Sequence, residues 1–377
     1  MSEIKIPLLT PQLPNREALW PYLGKIDEKK HYSNFGPLVK LLESRLLVQF
    51  QAHTQHALHV TTVSSATLGL ELALTALNLP KGSPVLVPAL TFVASLTAII
   101  RAGYTPVVAD IHPDSWLLTP EIATTAAKQC GAKAVLAVAT FGQAQDTLHW
   151  HDFQHKTGIK VVIDAAGAYG SQWLHTPDIP VVFSMHATKS LTAGEGGVVV
   201  SGDAQMARLI AQMSNFGINL SPRADIPVGY LLSAGTNAKL SEYHAAVGLA
   251  SLDEWPQVAE NRQRIHAQYR ECLTRKCGDV LTWQTGVTPL APTTFSVRLG
   301  SSAGRDRLES LCLKEGIATR RWYQPLLHLH AKKVGHVIHL PTPVAEKVAD
   351  DLIGLPFSTF LTPVQMEIIA DIVHEAI

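Results

Sequence analysis

The stretch FSMHATKSLTAGEGGVVVS, residues 183–201, sets one lysine, Lys189, in a turn rich in alanine and glycine between two apolar runs. The runs Val181–Met185 and Val198–Ser201 predict buried strands, because β-branched residues favour strands. The small residues leave room beside the Lys189 amine, and partial burial lowers the pKa of a lysine so that its amine can attack a carbonyl. A single Thr-Lys pair more often marks a surface lysine, so a chemical role for Lys189 needs support from other segments.

The segments on either side alternate between short apolar strands and longer helical stretches. The seven strand candidates are Leu58–Val63, Pro84–Val87, Pro106–Ala109, Ala134–Ala139, Lys160–Ile163, Val181–Met185 and Val198–Ser201. The helical stretches between them include Thr67–Leu77, Ala94–Ala102, Pro120–Gln129 and Thr147–Thr157. This pattern predicts an α/β protein with a mostly parallel, seven-stranded sheet that helices cover on both faces.

The pattern of predicted helices, strands and turns changes near residue 250. A long polar helix is predicted over Glu254–Arg275, turn residues follow it, and a last helix is predicted near Pro363–Glu375. We therefore expect a large α/β domain over residues 1–250 and a smaller α+β domain over residues 251–377.

The amino-acid composition limits the classes of molecule that the protein is expected to bind. Lys plus Arg and Asp plus Glu number 31 each among 377 residues, so no overall charge favours nucleic acid or an anionic membrane. The most apolar stretch, residues 87–100, is too short to cross a bilayer. The four cysteines form no CxxC pair, and the first residues lack the apolar core of a signal peptide, so a cytoplasmic protein is expected.

Histidines number 17, and two groups of them are candidate metal ligands. The first is His53, His56 and His59, and the second is His149 with His151. Neither has an acidic partner in the spacing of a zinc-binding helix. No metal is expected.

Two further segments support a chemical role for Lys189. Asp164 ends the apolar run of VVIDAAGAYG, at the sheet edge where α/β proteins bind ligands, although it could equally cap a helix. In VTTVSSATLGLELAL the hydroxyls of Ser64, Ser65 and Thr67 precede a helix whose free N–H groups could hold an anion, although ordinary capping would look similar. A lysine amine, an aspartate for a ring nitrogen and a phosphate cradle together indicate pyridoxal 5′-phosphate (PLP).

The order of motifs resembles the DegT/DnrJ/EryC1/StrS group of PLP-dependent sugar aminotransferases, over roughly residues 32–377. The motifs that carry the resemblance are SNFGPLVKLLE, TVSSATLGLELAL, VPALTFVAS, VVIDAAGAYG, FSMHATKSLTAGEGG, NFGI, GTNAKLSEYHAAVGL, RRWYQPLLH and LPFS. The resemblance implies the aspartate aminotransferase type of fold, known as fold type I of the PLP enzymes. The family's sugar dehydratases carry histidine in the place of Lys189, so the lysine favours transamination.

The resemblance also implies roles for individual residues. Lys189 would form an imine with PLP and then shuttle a proton, while Asp164 would keep the pyridine nitrogen protonated. The remaining cofactor contacts that it implies are Ser65, Ala66, Thr67, Phe92, Ser184 and, from a second subunit, Asn237. Such a shared site would make the protein a homodimer.

The substrate side of the resemblance points to the loop after residue 319. Its candidate substrate contacts are Arg320, Arg321, Trp322, Tyr323 and His328. Two positions depart from the family's pattern: Gly167 replaces a glutamine that contacts the cofactor, and Lys239 replaces an arginine. A glycine cannot make the glutamine's contact, so another donor, a water or a wider pocket is expected at position 167. Lysine lacks the planar guanidinium of arginine, so Lys239 cannot make a bidentate contact.

Three functions follow as hypotheses. The first is transfer of an amino group from L-glutamate to C3 or C4 of a nucleotide-linked keto-deoxy sugar, for lipopolysaccharide O-antigen, another surface glycan or a glycosylated natural product. The second is the same transfer to a keto-cyclitol or another keto sugar without a nucleotide. The third is a PLP-binding regulatory protein without turnover, which the presence of both Lys189 and Asp164 disfavours.

Overall fold

A computed structural model describes residues 4–221, 225–330 and 334–377. Within these ranges the strands are β1 (His59–Val63), β2 (Pro84–Pro88), β3 (Thr105–Ala109), β4 (Ala134–Val138), β5 (Lys160–Asp164), β6 (Val181–Ser184), β7 (Gly197–Ser201), β8 (Phe295–Arg298), β9 (Ile338–His339) and β10 (Leu352–Leu355). All seven predicted strands are present, with ends that differ from the predicted ones by one residue or less, as at Pro88 and Thr105.

The helices surround these strands in chain order. They are α1 (Arg16–Lys29), α2 (Pro37–Gln51), α3 (Ala66–Ala76), α4 (Val93–Arg101), α5 (Pro120–Cys130), α6 (Thr147–Thr157), α7 (Ala204–Ser214), α8 (Glu242–Cys277), α9 (Ser302–Glu315), α10 (Leu327–His330), α11 (Pro343–Asp351) and α12 (Pro363–Ala376). Thr119 caps α5, since its side chain accepts a hydrogen bond from the backbone N–H of Ile122. No helix within the described ranges is both long enough and apolar enough to span a membrane.

The large sheet has the strand order β1-β7-β6-β5-β4-β2-β3-β9. Strand β7 runs antiparallel to its neighbours β1 and β6, and the other described pairs of this sheet are parallel. The prediction of a mostly parallel sheet is confirmed, but its count of seven strands is wrong by one. The eighth strand, β9, has two residues and comes from the C-terminal part of the chain, so its sequence is too short to show a strand pattern.

Both faces of the sheet are buried, and alternate residues of each strand serve opposite cores. In β4, Val135 and Ala137 pack with α1, α2, α5 and α6, whereas Ala134 and Leu136 pack with α3, α4 and α11. A side-chain period of two explains this division. It also explains why the strands are apolar at nearly every position rather than at every second one.

Helix α8 passes through the predicted domain boundary at residue 250. Its first half contributes Leu249 and Trp255 to the core beneath the sheet. Its second half contributes Tyr269 and Leu273 to a separate core with β8, β10, α9 and α12. Strands β8 and β10 pair antiparallel in a sheet of their own. The division into residues 1–250 and 251–377 stays a prediction.

Candidate active site

The carboxyl ends of the parallel strands open into a cavity of about 410 Å³. Ligands bind at this edge in open α/β sheets. The predicted residues that line the cavity are Ser65, Ala66, Thr67, Phe92, Asp164, Ser184, Lys189, Arg320, Trp322 and Tyr323. The chain therefore brings together, from five separate segments, most of the side chains that the sequence singled out.

Asp164 is the last residue of β5 and is only 5% exposed. Its Oδ2 accepts a hydrogen bond from Ser95 Oγ at 2.8 Å, and its Oδ1 accepts one from the backbone N–H of Ala166 at 3.1 Å. Residues 165–171 form turns rather than a helix, so Asp164 does not cap a helix. Burial raises the pKa of Asp164, although both hydrogen bonds and the charge of Lys189 act in the opposite direction.

Lys189 lies in the turn after β6, where its backbone N–H donates to the carbonyl of His186 at 2.9 Å. Burial lowers the pKa of Lys189, and the charge of Asp164 opposes that effect. The two groups act on each other across the cavity, yet no direct ion pair between them is found in the part of the chain that the structure describes. An amine and a buried carboxylate that line one cavity can hold different parts of one ligand.

The start of α3 forms a third wall. Ser65 is the N-cap of this helix, and its Oγ accepts from the backbone N–H of Leu68 at 3.3 Å. A Cβ atom on Gly197 of β7 would lie 2.6 Å from the backbone nitrogen of Ala66, so the strand and the helix start approach as closely as glycine allows. The free N–H groups of α3, with the hydroxyls of Thr67 and Ser184 nearby, provide donors for an anion.

Aromatic side chains also line the cavity. Phe92 is the N-cap residue of α4 and is 53% exposed, so its ring is free to cover a planar ligand. Tyr323 stacks on Phe141, with ring centroids 5.3 Å apart and an interplanar angle of 5°. Phe141 was not predicted from the sequence.

The two neighbouring arginines of the substrate-side loop point to different places. Arg320 lines the cavity, and its guanidinium lies 4.6 Å from the ring centre of Trp322. Arg321 instead pairs with α9: its Nε donates to Glu309 Oε1 at 3.0 Å, and its Nη2 lies 2.8 Å from Asp306 Oδ1. The structure therefore places Arg320, and not Arg321, at the site.

His328 and Asn237 also lie outside the described lining of the cavity. His328 stacks on His339 with ring centroids 4.0 Å apart. Asn237 accepts a hydrogen bond from Lys239 Nζ at 2.6 Å, and that ammonium lies 4.5 Å above the ring of Phe216. A cofactor contact by Asn237 requires a second subunit and stays a prediction.

Two groups of potential metal ligands lie away from the cavity in the described residues. They are His151, His155 and Asp178, and His328, His339 and Glu346. In the first group His151 Nδ1 already lies 2.8 Å from Asp178 Oδ1, as an ordinary ion pair would. Neither group contains a residue of the cavity lining.

Sequence reasoning missed several polar residues of this site, among them Ser95 and Thr293. Ser95 is fully buried, lies in the first turn of α4 three residues after Phe92, and holds Asp164. Thr293 comes from the segment before β8 and lies beside Gly167. Helical spacing from Phe92 could have suggested Ser95, whereas no local pattern marks Thr293.

Comparison with known proteins adds independent evidence. The DegT/DnrJ/EryC1/StrS aminotransferase family matches residues 16–374 of this chain. The structure is similar to that of DesI, crystallised in the presence of its TDP-sugar product, with a TM-score of 0.84 and 30% identity over 100% of this chain and 93% of DesI. It is also similar to S. venezuelae DesV in complex with a ketimine intermediate, with a TM-score of 0.81 and 27% identity over 97% of this chain and 98% of DesV.

The cavity fits the PLP on which such enzymes depend. Asp164 offers a buried carboxylate for the ring nitrogen, and the N-terminus of α3 offers donors for the phosphate. Lys189, in the same cavity, offers an amine whose pKa burial lowers. The chain therefore belongs to the DegT/DnrJ/EryC1/StrS aminotransferase family and is a PLP-dependent aminotransferase with a fold of type I.

Proposed function

We propose that this enzyme transfers an amino group from L-glutamate to C3 or C4 of a keto-deoxy sugar that is linked to a nucleotide diphosphate. The observation that carries the proposal is that Lys189, Asp164 and Arg320 line one cavity. The similarity to DesI, whose structure was determined with a TDP-sugar product, supports the substrate class. The product would serve the synthesis of a glycan, such as an O-antigen, or of a glycosylated natural product.

Lys189 acts as the base in this proposal. When bound, PLP supplies a carbonyl that accepts the amine and a ring that delocalises the electrons released by deprotonation. Burial lowers the pKa of the Lys189 amine, which favours its role as the base that would take a proton from the substrate carbon and would return one to the cofactor carbon. It lies in the turn after β6 and lines the cavity in which both substrates would bind in succession.

Asp164 controls the electronic state of the ring. A carboxylate against the pyridine nitrogen favours the protonated ring, which withdraws electrons most strongly. Ser95 and the N–H of Ala166 each donate to this carboxylate and so favour its charged form despite burial. Phe92 and Tyr323 line the cavity and would orient the ring and limit the access of water to it.

Arg320 is the candidate contact for a substrate anion. Its backbone N–H and carbonyl both bond to Gly354, which fixes the strand-like segment that carries it. No ion pair of Arg320 is found within the described ranges, in contrast to Arg321. A guanidinium without a carboxylate partner at the mouth of a cavity is suited to a phosphate or carboxylate of the substrate.

A homodimer is part of the proposal. Asn237 lies in a loop that folds back on itself, with bridges between Asn215 and Asn237 and between Ile218 and Leu231. This loop exposes apolar side chains, including Leu231 at 68% and Tyr230 at 64%. An exposed apolar surface next to Asn237 supports its contact with the site of a second subunit.

The experiment is a substrate panel. Purified enzyme loaded with PLP is given glutamate together with nucleotide-linked 3-keto or 4-keto sugars or with free keto-cyclitols, and 2-oxoglutarate is measured. We expect turnover with a nucleotide-linked sugar only. Equal turnover with free keto-cyclitols would contradict the nucleotide requirement, and visible absorbance that does not respond to glutamate would favour a binding-only protein.

A matched pair of variants tests the role of Arg320. Arg320→Gln should raise KM for the anionic substrate about 10-fold or more, since a charge-assisted hydrogen bond contributes about 1.5–3 kcal/mol. Arg321→Gln, at the adjacent position, should leave that KM unchanged because its guanidinium pairs with α9. The reverse pattern would transfer the substrate role to Arg321.

A further inference from the structure

Two adjacent threonines line the cavity with hydroxyls that have no hydrogen-bond partner in the described ranges. Thr293 is only 5% exposed, and its hydroxyl makes no hydrogen bond to a described residue. The Oγ1 of Thr294 is also buried without a partner. The Thr294 hydroxyl is too deeply buried to reach a ligand, whereas Thr293 lines the cavity with little exposure and no partner among the described residues. Since polar groups with so little exposure nearly always have a partner, a ligand of the cavity is expected to bond to the Thr293 hydroxyl.

The segment that carries them is held in place. Arg262 of α8 is 3% exposed, and its Nη1 donates to the carbonyl of Pro292 at 3.0 Å. Strand β8 begins at Phe295, directly after the pair, and fixes the other side. Thr293 is therefore held at the cavity wall from both directions.

The strand order places Thr293 on one side of Asp164. An ideal Cβ atom on Gly167, three residues after Asp164, would lie 3.5 Å from Thr293 Oγ1 and 3.7 Å from the backbone nitrogen of Gly142. Gly142 follows β4, which neighbours β5 on one side. The anion cradle of Ala66 belongs to β1, which lies with β7 and β6 on the other side of β5.

Two substituents of PLP likewise lie on opposite sides of its ring, as Thr293 and the Ala66 cradle lie on opposite sides of Asp164. The phosphate arm and the phenolic oxygen are attached on opposite sides of the line from the ring nitrogen to the carbon that bears the aldehyde. With the ring nitrogen at Asp164 and the phosphate at the α3 cradle, the phenolic oxygen faces the β4 side. We propose that the Thr293 hydroxyl donates a hydrogen bond to the phenolic oxygen of PLP, at the place where Gly167 offers no side chain.

This inference rests on the cofactor and not on the identity of the sugar, so its test needs no sugar substrate. A donor to the phenolic oxygen stabilises the deprotonated form of the cofactor bound at Lys189. Thr293→Val should therefore raise the pH midpoint of the visible absorption change by about one unit and weaken PLP binding about 10-fold. Both are read by spectrophotometric titration of the holoenzyme and of the apoenzyme with PLP.

Thr176→Val is the matched control. Thr176 is also a buried threonine without a partner for its hydroxyl, at 4% exposure, and lies outside the described cavity lining. This control should leave both values unchanged, and Thr293→Ser should keep the wild-type midpoint because it retains a hydroxyl. If Thr293→Val does not fold, Thr293→Ala removes the same hydroxyl without adding volume.

The competing donor is Tyr323, whose ring lines the same cavity. Under the proposal Tyr323→Phe leaves the pH midpoint close to that of the wild type. A midpoint that moves with Tyr323→Phe and not with the Thr293 variants would overturn the assignment. An unchanged midpoint and an unchanged PLP affinity in Thr293→Val would overturn it as well.

Discussion

Ser95 should set the pH range in which Asp164 can serve the cofactor. The hydrogen bond from Ser95 Oγ to Asp164 Oδ2 is 2.8 Å long, and both side chains are buried, so water cannot replace it. A hydrogen bond to a charged group contributes about 1.5–3 kcal/mol, which corresponds to roughly 10- to 100-fold in a rate or binding constant. The N–H of Ala166 still donates to Asp164, so the lower end of this range is expected for Ser95→Ala.

The sign of the pH effect follows from the direction of the pKa shift. The Ser95 hydrogen bond lowers the pKa of Asp164, whereas burial raises it. Its removal therefore raises the pKa further, and a neutral Asp164 cannot keep the pyridine nitrogen protonated. The acid limb of the pH profile for the half-reaction with glutamate should move to higher pH by about one unit, since one unit corresponds to about 1.4 kcal/mol.

The assay is stopped-flow absorbance of PLP-loaded enzyme mixed with glutamate across a range of pH. Ser251→Ala is the control, because Ser251 is a buried serine of α8 whose hydroxyl has no partner in the described chain. An acid limb that stays in place in Ser95→Ala, or one that moves equally in Ser251→Ala, would refute the role of Ser95.

Two further predictions concern packing and burial. Gly197→Ala should lower the free energy of unfolding by about 1–3 kcal/mol and weaken PLP binding, because the new Cβ would lie 2.6 Å from the backbone of Ala66. Gly196→Ala should lower the free energy of unfolding in urea by less, since its Cβ would first meet the movable side-chain end of Met185 at 3.0 Å. Burial lowers the pKa of His266 from 6.5 to about 4, so stability should fall as the pH decreases from 6.5 towards 4, by on the order of 3 kcal/mol. His266→Leu should flatten this dependence of the urea midpoint on pH, and an unchanged slope would contradict it.

The sheet was predictable because its strands are buried on both faces. Runs such as Ala134–Val138 have no polar position, and helical stretches separate them, so periodicity alone locates them. Strand β9 has only two residues, Ile338 and His339, and forms because tertiary contacts bring it beside β3. A segment this short carries no pattern of its own, which is why the eighth strand was missed.

The meeting of Lys189 and Asp164 in one cavity was predictable because Asp164 ends one strand and Lys189 lies in the turn after the next strand. Ends of parallel strands meet at one edge, so adjacency in space follows from position in sequence. Arg320 and Arg321 could not be told apart in this way, because which of the two faces the cavity depends on the carboxylates of α9. Thr293 is distant in sequence from Asp164, and only the folded chain brings it beside Gly167.

The most direct test of the site is chemical trapping of the cofactor on the chain. Purified protein is incubated with PLP and reduced with borohydride, and its peptides are mapped by mass spectrometry, with Asp164→Ala and Lys189→Ala in parallel. We expect the label on the peptide that contains Lys189, weaker labelling in Asp164→Ala, and noncovalent binding only in Lys189→Ala. A label on another lysine, or a chain that PLP leaves colourless and unlabelled, would contradict the account.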